Sequence, residues 1–206
     1  MLSYKKGVVK DSIGGYDGKG QHYYNFDNIP EINSPGPFVV EEFVDYDYEA
    51  SIISCRAEDG SFHSFEPSYN ENLRGMLLSN MGPKILNDAK LISKRLMDAL
   101  AYIGVMGIEF FMVGDKLLIN EFAPRVHNSG HHTLMGNSIS QFELHVRAVL
   151  GLPISGPFTF TPTGIVNIIG KTLNVDDVNN ILKIPGTRIY SYGKEETKKR
   201  RKMGHV

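Results

Sequence analysis

The sequence predicts an α+β fold. Segments in which apolar and polar residues alternate, as in strands, stand beside two segments with helical spacing, and no regular strand–helix–strand repetition connects them. Hydrophobic residues make up 41% and charged residues 22% of the 206 residues, which is an ordinary composition for a folded protein. At about 100–200 residues per domain, the chain is expected to form one large domain or two small ones.

The first part of the chain is predicted to consist of strands and turns. Residues 5–12 form a short strand that is broken by the glycine-rich stretch 14–20. Residues 38–44 follow a proline- and glycine-rich turn, and residues 48–56 alternate well enough for another strand. Asp59-Gly60 then indicates a hairpin turn.

Residues 83–102 give the clearest helical pattern, because their apolar residues recur at the spacing of one buried face. Pro83 suits the first turn of this helix, and Gly104 suits the left-handed position after its end. Residues 105–122 then predict a β-hairpin that turns at Gly114-Asp115.

A second helix is predicted from about residue 140 to residue 150. Ser138 and Gln141 are taken as its capping box, and Gly151 lies just beyond its end. Two more elements are expected in the tail, a strand over residues 164–169 and a short helix near residues 175–182.

Charge and cysteine content exclude several function classes. The chain has 22 Lys and Arg residues against 23 Asp and Glu residues, which argues against a dedicated nucleic-acid-binding domain. A single cysteine, Cys55, rules out a disulfide framework and a zinc-finger site. No apolar run approaches the roughly 20 residues of a membrane span, and the polar start of the chain does not resemble a signal peptide. A cytoplasmic protein without nucleic-acid or membrane partners is therefore expected.

Two glutamates of the predicted hairpin are candidates for a metal site. A three-residue loop at residues 114–116 would place Glu109 directly opposite Glu121 on one face. Facing carboxylates repel each other across a strand pair, whereas a divalent cation between them reverses the sign of the interaction. Mg²⁺ uses few protein carboxylates and shares its shell with nucleotide phosphates. The alternative is that both side chains point to solvent on an exposed sheet face, and the spacing supports both interpretations equally.

Four hydrogen-bond donors follow the second glutamate within one short segment. Arg125, His127, Asn128 and His131 lie among proline and glycine breaks with little apolar sequence around them. Beside a metal pair, such donors favour the binding of an anion, either a phosphate or a carboxylate-like substrate. The alternative is a polar loop whose histidines are satisfied by their neighbours.

Two further clusters point weakly to a nucleotide. The glycines of residues 14–21 allow a close backbone approach to phosphates and Lys19 adds a positive charge, although the Gly-Lys-Ser/Thr ending of a P-loop is missing. A strand end such as residues 41–44 can bind adenine through its backbone, and Glu49 can accept hydrogen bonds from ribose hydroxyls. An ordinary glycine turn and an ordinary acidic strand end are the alternatives.

Three blocks of sequence, in this order, resemble the N5-carboxyaminoimidazole ribonucleotide synthase family, the ATP-grasp carboxylase-ligases of purine biosynthesis. The blocks are residues 14–21, 120–131 and 201–206, and the second is the most specific. The resemblance implies an ATP-grasp fold followed by a partial, β-rich C-terminal domain. It also implies carboxylation of 5-aminoimidazole ribonucleotide with bicarbonate, driven by ATP, with Mg²⁺ and by way of carboxyphosphate.

The resemblance further implies roles for individual residues. The ATP-binding residues would be Lys10, Gly15, Tyr16, Asp17, Gly18, Lys19, Gly20, Gln21, Glu41, Glu42, Phe43, Val44, Glu49, Asn72, Asn120 and Glu121. The catalytic residues, around bicarbonate and carboxyphosphate, would be Arg125, His127 and Asn128. The Mg²⁺ ligands would be Glu109 and Glu121. The residues that bind the ribonucleotide substrate would be Asp17, Lys19, Lys194 and Arg201.

The chain departs from the family pattern in several places. Asn72 stands where the family usually has a histidine, which affects a nucleotide contact, and His132 stands where a tryptophan is frequent. The family has a further domain before the strand at Lys10 and continues beyond the end of this chain. An incomplete ATP-grasp domain at residues 1–150 and a truncated C-terminal domain at residues 151–206 are therefore expected.

Two other functions remain open on the sequence. The chain can be another ATP-grasp carboxylase or ligase with a different acceptor, or an inactive ATP-binding fragment. The basic run at residues 198–202 is typical of a solvated tail, and only the sequence that follows it favours phosphate binding. The complete enzyme is expected to be a homodimer.

Overall fold

The computed structural model of the chain describes residues 4–15, 19–33 and 35–206. Its strands are β1 (Lys6–Asp11), β2 (Gln21–Asn25), β3 (Phe38–Glu42), β4 (Tyr48–Arg56), β5 (Phe62–Ser64), β6 (Ser68–Leu73), β7 (Met76–Gly82), β8 (Gly104–Val113), β9 (Lys116–Ala123), β10 (Thr163–Ile169), β11 (Tyr190–Ser191) and β12 (Lys202–His205). Its helices are α1 (Ala89–Ala99), α2 (Thr133–Gly136), α3 (Gln141–Val149) and α4 (Val175–Leu182), with a 3₁₀ turn at Asn128–Gly130. The predicted α+β class is confirmed.

The strands form two antiparallel sheets. The small sheet has three strands in the order β2-β1-β3. The large sheet has nine strands, eight of them in the order β11-β12-β10-β7-β6-β4-β8-β9, with β5 paired to β4. Because β10 pairs with β7, the residues beyond position 150 extend the sheet that the earlier residues begin. The division into domains at that position stays a prediction.

Two apolar clusters fix the centre of the large sheet from both faces. The first cluster packs Ala89 and Met97 of α1 against strand residues that include Ile52. The second cluster packs Leu144 of α3 against strand residues that include Ile53. Since neighbouring residues of a strand point to opposite faces, the two helices cover opposite sides of β4. Each buried aliphatic side chain contributes about 1.5–3 kcal/mol, so β4 and β8 form a rigid support.

The hairpin of β8 and β9 pairs Glu109 with Glu121, as predicted, but by a different route. The turn contains two residues, 114–115, instead of the predicted three, and that register by itself would pair Glu109 with Asn120. A bulge between Glu109 and Phe110 leaves Asn120 unpaired and shifts the register by one residue. Bulges of this kind re-aim side chains and are frequent beside active sites.

Helix α1 begins later than the helix predicted over residues 83–102. Pro83 and the residues after it are not helical, and the Lys84 N–H donates to the Pro67 carbonyl at 2.6 Å. The placement of Pro83 in the first turn was therefore wrong, because this hydrogen bond to a neighbouring segment replaces helical pairing.

The end of α1 also differs from the prediction. The helix ends at Ala99, and Ala101 takes the left-handed conformation with a φ of 47°. The Tyr102 N–H then donates to the Met97 carbonyl, which closes the helix in a Schellman motif. The assignment of Gly104 as the cap was wrong, since the chain reverses three residues earlier.

Helix α3 has its predicted position but a different cap. The Ser140 hydroxyl accepts a hydrogen bond from the Glu143 N–H at 3.2 Å. The capping box of Ser138 and Gln141 was therefore wrong; Gln141 is instead the first residue of the helix. The C-terminal prediction was right, because Gly151 has a φ of 67° just beyond the helix end.

The remaining predicted elements are confirmed in position. They are the strands over residues 5–12, 38–44, 48–56 and 164–169, the hairpin turn at Asp59-Gly60 and the helix near residues 175–182. The strands β2, β6, β7, β11 and β12 were not predicted. Within the described parts of the chain, no helix is long and apolar enough to cross a membrane.

Candidate active site

A cavity of about 1120 Å³ is lined by residues of both sheets. It brings together three sequence clusters that are far apart along the chain. Its large-sheet wall contains the predicted residues Glu49, Asn72, Glu109, Asn120, Glu121, Arg125, His127 and Asn128. Its small-sheet wall contains the predicted residues Lys10, Gly15, Lys19, Gly20, Gln21, Glu41, Glu42, Phe43 and Val44. Tyr16, Asp17 and Gly18 lie outside the described residues, so the structure says nothing about their predicted roles.

The paired carboxylates of Glu109 and Glu121 lie on the large-sheet wall. Burial raises the pKa of Glu121, and the charge of Glu109 raises it further, while Lys10 and His127 act in the opposite direction. A divalent cation reverses this balance, because it favours the ionised form of both groups. Among the described residues, no cluster of three or more His, Cys, Asp or Glu side chains could hold a metal. Two carboxylates fit an ion such as Mg²⁺, which completes its shell with water and phosphate oxygens.

Lys10 connects the two walls of the cavity. Its Nζ lies 2.6 Å from Glu41 Oε2 on the neighbouring strand β3. The same Nζ donates to Asn120 Oδ1 at 3.4 Å. Asn120 is the residue that the bulge in β9 leaves unpaired, so the bulge and the lysine meet at the junction of the sheets. A positive charge is thereby placed close to the carboxylate pair.

Glu49 is held by two hydrogen bonds on the large-sheet wall. Its Oε1 accepts from the Tyr46 hydroxyl at 2.8 Å, and its Oε2 accepts from Asn72 Nδ2 at 2.5 Å. Burial nevertheless raises the pKa of Glu49. The asparagine at position 72 thus supports the carboxylate that was predicted to bind ribose.

Sequence reasoning missed an aromatic pair beside Glu49. The rings of Tyr46 and Phe111 stack with their centroids 4.4 Å apart, and both side chains line the cavity. The signal for Phe111 was present, because residues 109 and 111 of one strand share a face. The pair adds a flat aromatic surface to a wall that carries both charged and apolar side chains.

The imidazole and the backbone of His127 are both fixed. Its Nε2 lies 3.1 Å from Glu109 Oε1, and its Nδ1 lies 2.8 Å from Ser129 Oγ. The backbone N–H and carbonyl of His127 both bond to the side chain of Gln141. A methyl group on Gly107 would lie 2.6 Å from His127 Cβ, so strand β8 admits the histidine only because residue 107 is glycine.

Asn128 is held by a residue of β10. Its Nδ2 donates to Asn167 Oδ1 at 3.1 Å, and Asn167 Nδ2 donates back to Asn128 Oδ1 at 2.7 Å. Asn167 Nδ2 also donates to the Leu77 carbonyl at 3.0 Å, which fixes the orientation of both amides. Arg125, two residues before His127, reaches the same cavity and donates to the Val126 carbonyl at 2.9 Å.

His131 does not line the cavity, unlike the other three donors of its segment. Its ring stacks on His205 and on Phe142, with centroids 4.8 Å and 5.4 Å away. Burial and the neighbouring His205 lower the pKa of His131 to about 3, so the ring is neutral at pH 7. This histidine belongs to the packing behind the wall.

The predicted roles of the basic residues near the end of the chain stay predictions. Lys194 and Arg201 are not lining residues of the cavity, whereas Lys202 is. Lys194 Nζ donates to the Lys202 carbonyl at 2.6 Å, and Arg201 Nη1 donates to the Glu196 carbonyl at 3.1 Å. Sequence reasoning did not separate Lys202 from the other residues of the basic run.

The sequence matches the models of two known domain families. Residues 3–142 match the model of the ATP-grasp domain, and residues 163–206 match the model of the phosphoribosylaminoimidazole carboxylase C-terminal domain. The N5-carboxyaminoimidazole ribonucleotide synthase of Saccharolobus solfataricus is 46% identical over 204 residues, which cover 97% of this chain and 54% of that protein. The chain spans about half the length of the curated relatives it matches.

The chain is also similar to solved structures of enzymes with these names. The phosphoribosylaminoimidazole carboxylase ATPase subunit from Aquifex aeolicus has a TM-score of 0.78 and 43% identity, over 82% of this chain and 55% of that one. The N5-carboxyaminoimidazole synthase from Aspergillus clavatus, solved with ADP and 5-aminoimidazole ribonucleotide, has a TM-score of 0.83 and 28% identity, over 99% of this chain and 57% of that one.

Proposed function

Since this chain belongs to the ATP-grasp family, we propose that the protein carboxylates 5-aminoimidazole ribonucleotide with bicarbonate to form N5-carboxyaminoimidazole ribonucleotide in purine (IMP) biosynthesis. ATP is converted to ADP and phosphate, and carboxyphosphate is the intermediate. The observation that carries the proposal is the meeting of Glu109, Glu121 and His127 with Lys10 across one cavity. This combination provides ligands for a cation and a positive charge at one place, in a chain similar to enzymes named for that reaction.

Glu109 and Glu121 are the residues that would hold Mg²⁺. They face each other, they offer only oxygen donors, and the raised pKa of Glu121 is consistent with a site built for a cation. A bound Mg²⁺ would supply positive charge that offsets the charge developing on the transferred phosphoryl group.

Arg125, His127 and Asn128 form the proposed binding site for bicarbonate. Bicarbonate is a poor electrophile, and its phosphorylation supplies a phosphate leaving group. The Arg125 guanidinium can bind a carboxylate-like anion through two parallel hydrogen bonds. The fixed positions of His127 and Asn128 orient that anion in advance, and positioning together with charge supplies most of the catalysis in phosphoryl transfer.

The nucleotide is proposed to lie between the two walls. Its adenine would be bound by the backbone of residues 41–44 and its ribose by Glu49. Lys10 and the glycines around Lys19 would bind the phosphates, since backbone N–H groups and a lysine are suited to anions. Lys202 is the basic residue that the cavity offers to the phosphate of the ribonucleotide.

A second candidate is another ATP-grasp carboxylase or ligase with a different acceptor. The observation that favours it is the position of Lys194 and Arg201, the residues predicted for the ribonucleotide phosphate, outside the cavity lining.

We further propose that the protein acts in the cytoplasm as a homodimer, with small molecules as its partners in place of nucleic acid or a membrane. Residues 1–150 would form the nucleotide-binding part, and residues 151–206 would belong to a second domain.

The test is a measurement of ADP release by the purified protein in the presence of Mg²⁺ and ATP. Release that requires both bicarbonate and 5-aminoimidazole ribonucleotide supports the proposal. Release that requires bicarbonate but is indifferent to the ribonucleotide supports a different acceptor. Binding of ATP without any release, detected by calorimetry, would identify an inactive ATP-binding fragment.

A further inference from the structure

We propose that Gln141 is a positioning residue of the active site, whose buried side-chain amide fixes His127 and, through His127, the Glu109 carboxylate. The inference rests on the proposed function, because it assigns to Gln141 the orientation of the residues that the reaction would use. Gln141 does not line the cavity, so it acts only through the residues that it holds.

The side chain of Gln141 binds both backbone groups of a single residue. Its Oε1 accepts from the His127 N–H at 2.9 Å, and its Nε2 donates to the His127 carbonyl at 2.7 Å. The second proton of Nε2 is directed to His131 Nδ1, 3.0 Å away. The amide therefore bonds to both ends of the loop that carries His127, Asn128 and Ser129.

The loop is closely fitted around this amide. Gln141 is 0% exposed, and a methyl group on Gly130 would lie 2.5 Å from its Oε1. The Gln141 backbone N–H donates to Thr133 Oγ1 at 3.0 Å, which fixes the residue at the start of α3. A buried polar group without a partner costs about 1–3 kcal/mol, so any arrangement of the loop that leaves one of these groups unpaired is disfavoured.

Glutamine is the residue type that this position requires. The His127 N–H needs an acceptor and the His127 carbonyl needs a donor, and Nδ1 of neutral His131 accepts a hydrogen bond in the tautomer whose proton is on the other ring nitrogen. A carboxamide offers one acceptor oxygen and two donor protons in a plane, whereas a carboxylate of the same shape offers acceptors alone. The Gln141 side chain thus matches the loop in number and in kind of hydrogen bonds.

The position of the His127 backbone determines where its imidazole meets the Glu109 carboxylate. The backbone of His127 is held by Gln141 on one side and approached by Gly107 on the other. The imidazole is left with the orientation that puts Nε2 3.1 Å from Glu109 Oε1. Residues that orient a metal-binding carboxylate in this way typically change metal affinity or activity about 10- to 100-fold when they are replaced.

The test compares Gln141→Leu and Gln141→Glu with the unchanged protein. Both variants should lower the kcat for ADP release about 10- to 100-fold, with little change in the KM for ATP, because the adenine and ribose contacts lie elsewhere. In the NMR spectrum, the nuclear Overhauser effect between Gly107 Hα and the His127 β-protons should weaken or disappear in both variants.

A matched control separates positioning from general loss of stability. Asn137 is another buried amide in the same region, and its Nδ2 donates to Thr159 Oγ1 at 3.0 Å, away from the cavity. Asn137→Ala should lower the melting temperature without changing kcat or the Gly107–His127 signal. An equal loss of kcat in Asn137→Ala would overturn the inference.

The unchanged protein gives a measurement that needs no variant. The His127 backbone N–H should exchange with solvent as slowly as the core amides of β8, and exchange at the rate of an open loop would overturn the inference. If that amide is protected but the unchanged protein shows no turnover dependent on bicarbonate and ribonucleotide, the proposed function fails while the role of Gln141 in holding His127 stands. If turnover is present and both variants keep the full kcat, the proposed function stands and the role of Gln141 fails.

Discussion

The two walls of the cavity are held in place in different ways. On the large-sheet wall, His127 and Asn128 are fixed by the buried side chains of Gln141 and Asn167. On the small-sheet wall, β3 carries apolar side chains that stay exposed, such as Val39 at 49%. Hydrogen bonds between buried groups hold the large-sheet wall in one geometry. The small-sheet wall leaves apolar side chains exposed and is therefore held less firmly.

This difference in packing assigns two proposed tasks, binding of the cation with bicarbonate and covering of the nucleotide, to different parts of the site. The residues proposed to hold the cation and bicarbonate lie where packing fixes their positions, and those proposed to cover the nucleotide lie where less packing opposes movement. Regions with few buried apolar contacts open at low free-energy cost, and segments that close over substrates are drawn from such regions. The comparison therefore predicts that changes at the cation- and bicarbonate-binding residues of the large-sheet wall affect kcat or stability, and that changes on the small-sheet wall affect the KM for ATP.

The largest expected effect is at the carboxylate pair. Glu121→Gln should reduce ADP release about 100- to 1000-fold, the usual loss when one group that stabilises developing charge is removed. The circular dichroism spectrum should stay the same, because glutamine has the shape of glutamate. Glu143→Gln is the control, since Glu143 is exposed on α3 and pairs with Arg147. Full turnover by Glu121→Gln would contradict the metal assignment.

The next effect is expected on the small-sheet wall. Lys10→Met removes the cation that joins Glu41 to Asn120. Hydrogen bonds to charged groups contribute about 1.5–3 kcal/mol, so the KM for ATP should rise about 10- to 100-fold. Lys5→Met, at an exposed position just before β1, should leave the KM unchanged. If Lys10→Met lowered the melting temperature as much as a core substitution does, the two walls would not differ in the way described.

The chemistry of the buried face explains which strands of the large sheet could be predicted from the sequence. Strands β4 and β8 lie between α1 and α3, so both of their faces are buried and their sequences are largely continuous apolar runs. The buried positions of β6 are instead Ser68 and Asn70, which bond to Ser51 and Asn80. A strand whose buried face is polar has no hydrophobic period, so its sequence resembles a loop.

The residues of the candidate site could also be predicted only in part from the sequence. Glu109 and Glu121 could be paired from the sequence because they belong to one hairpin, even though the expected loop length was wrong by one residue. Gln141 and Asn167 could not be found, because their partners are 14 and 39 residues away and are chosen by the packing of α3 and β10. Supporting residues are joined to a site by the fold and carry no local motif.

A smaller effect is expected where the backbone of β8 approaches His127. In Gly107→Ala the new methyl group would meet His127 Cβ at 2.6 Å, and overpacking of this kind costs about 1–3 kcal/mol. The melting temperature should fall by about 2–4 °C for each kcal/mol. Gly156→Ala is the control, because the atom nearest to its new methyl group would be Nδ1 of the His63 side chain, at 3.1 Å. An equal fall in both variants would show that β8 is not specially fitted to the histidine.

The smallest expected effect is on stability as a function of pH. Burial and the charge of Glu109 raise the pKa of Glu121 in the folded protein above its value in the unfolded chain. The folded state therefore binds this proton more tightly, so stability falls as the pH rises through the interval between the two pKa values, and the loss is complete above the folded one. Without a divalent cation, Glu121→Gln should thus melt slightly higher than the unchanged protein at pH 7, and the gain should disappear as the pH falls below about 4. Adding Mg²⁺ with ADP should reverse the order, because a ligand stabilises the form that binds it. Thermal melts at several pH values measure both effects, and a gain that persisted unchanged at acid pH would show that the carboxylate pair does not oppose folding.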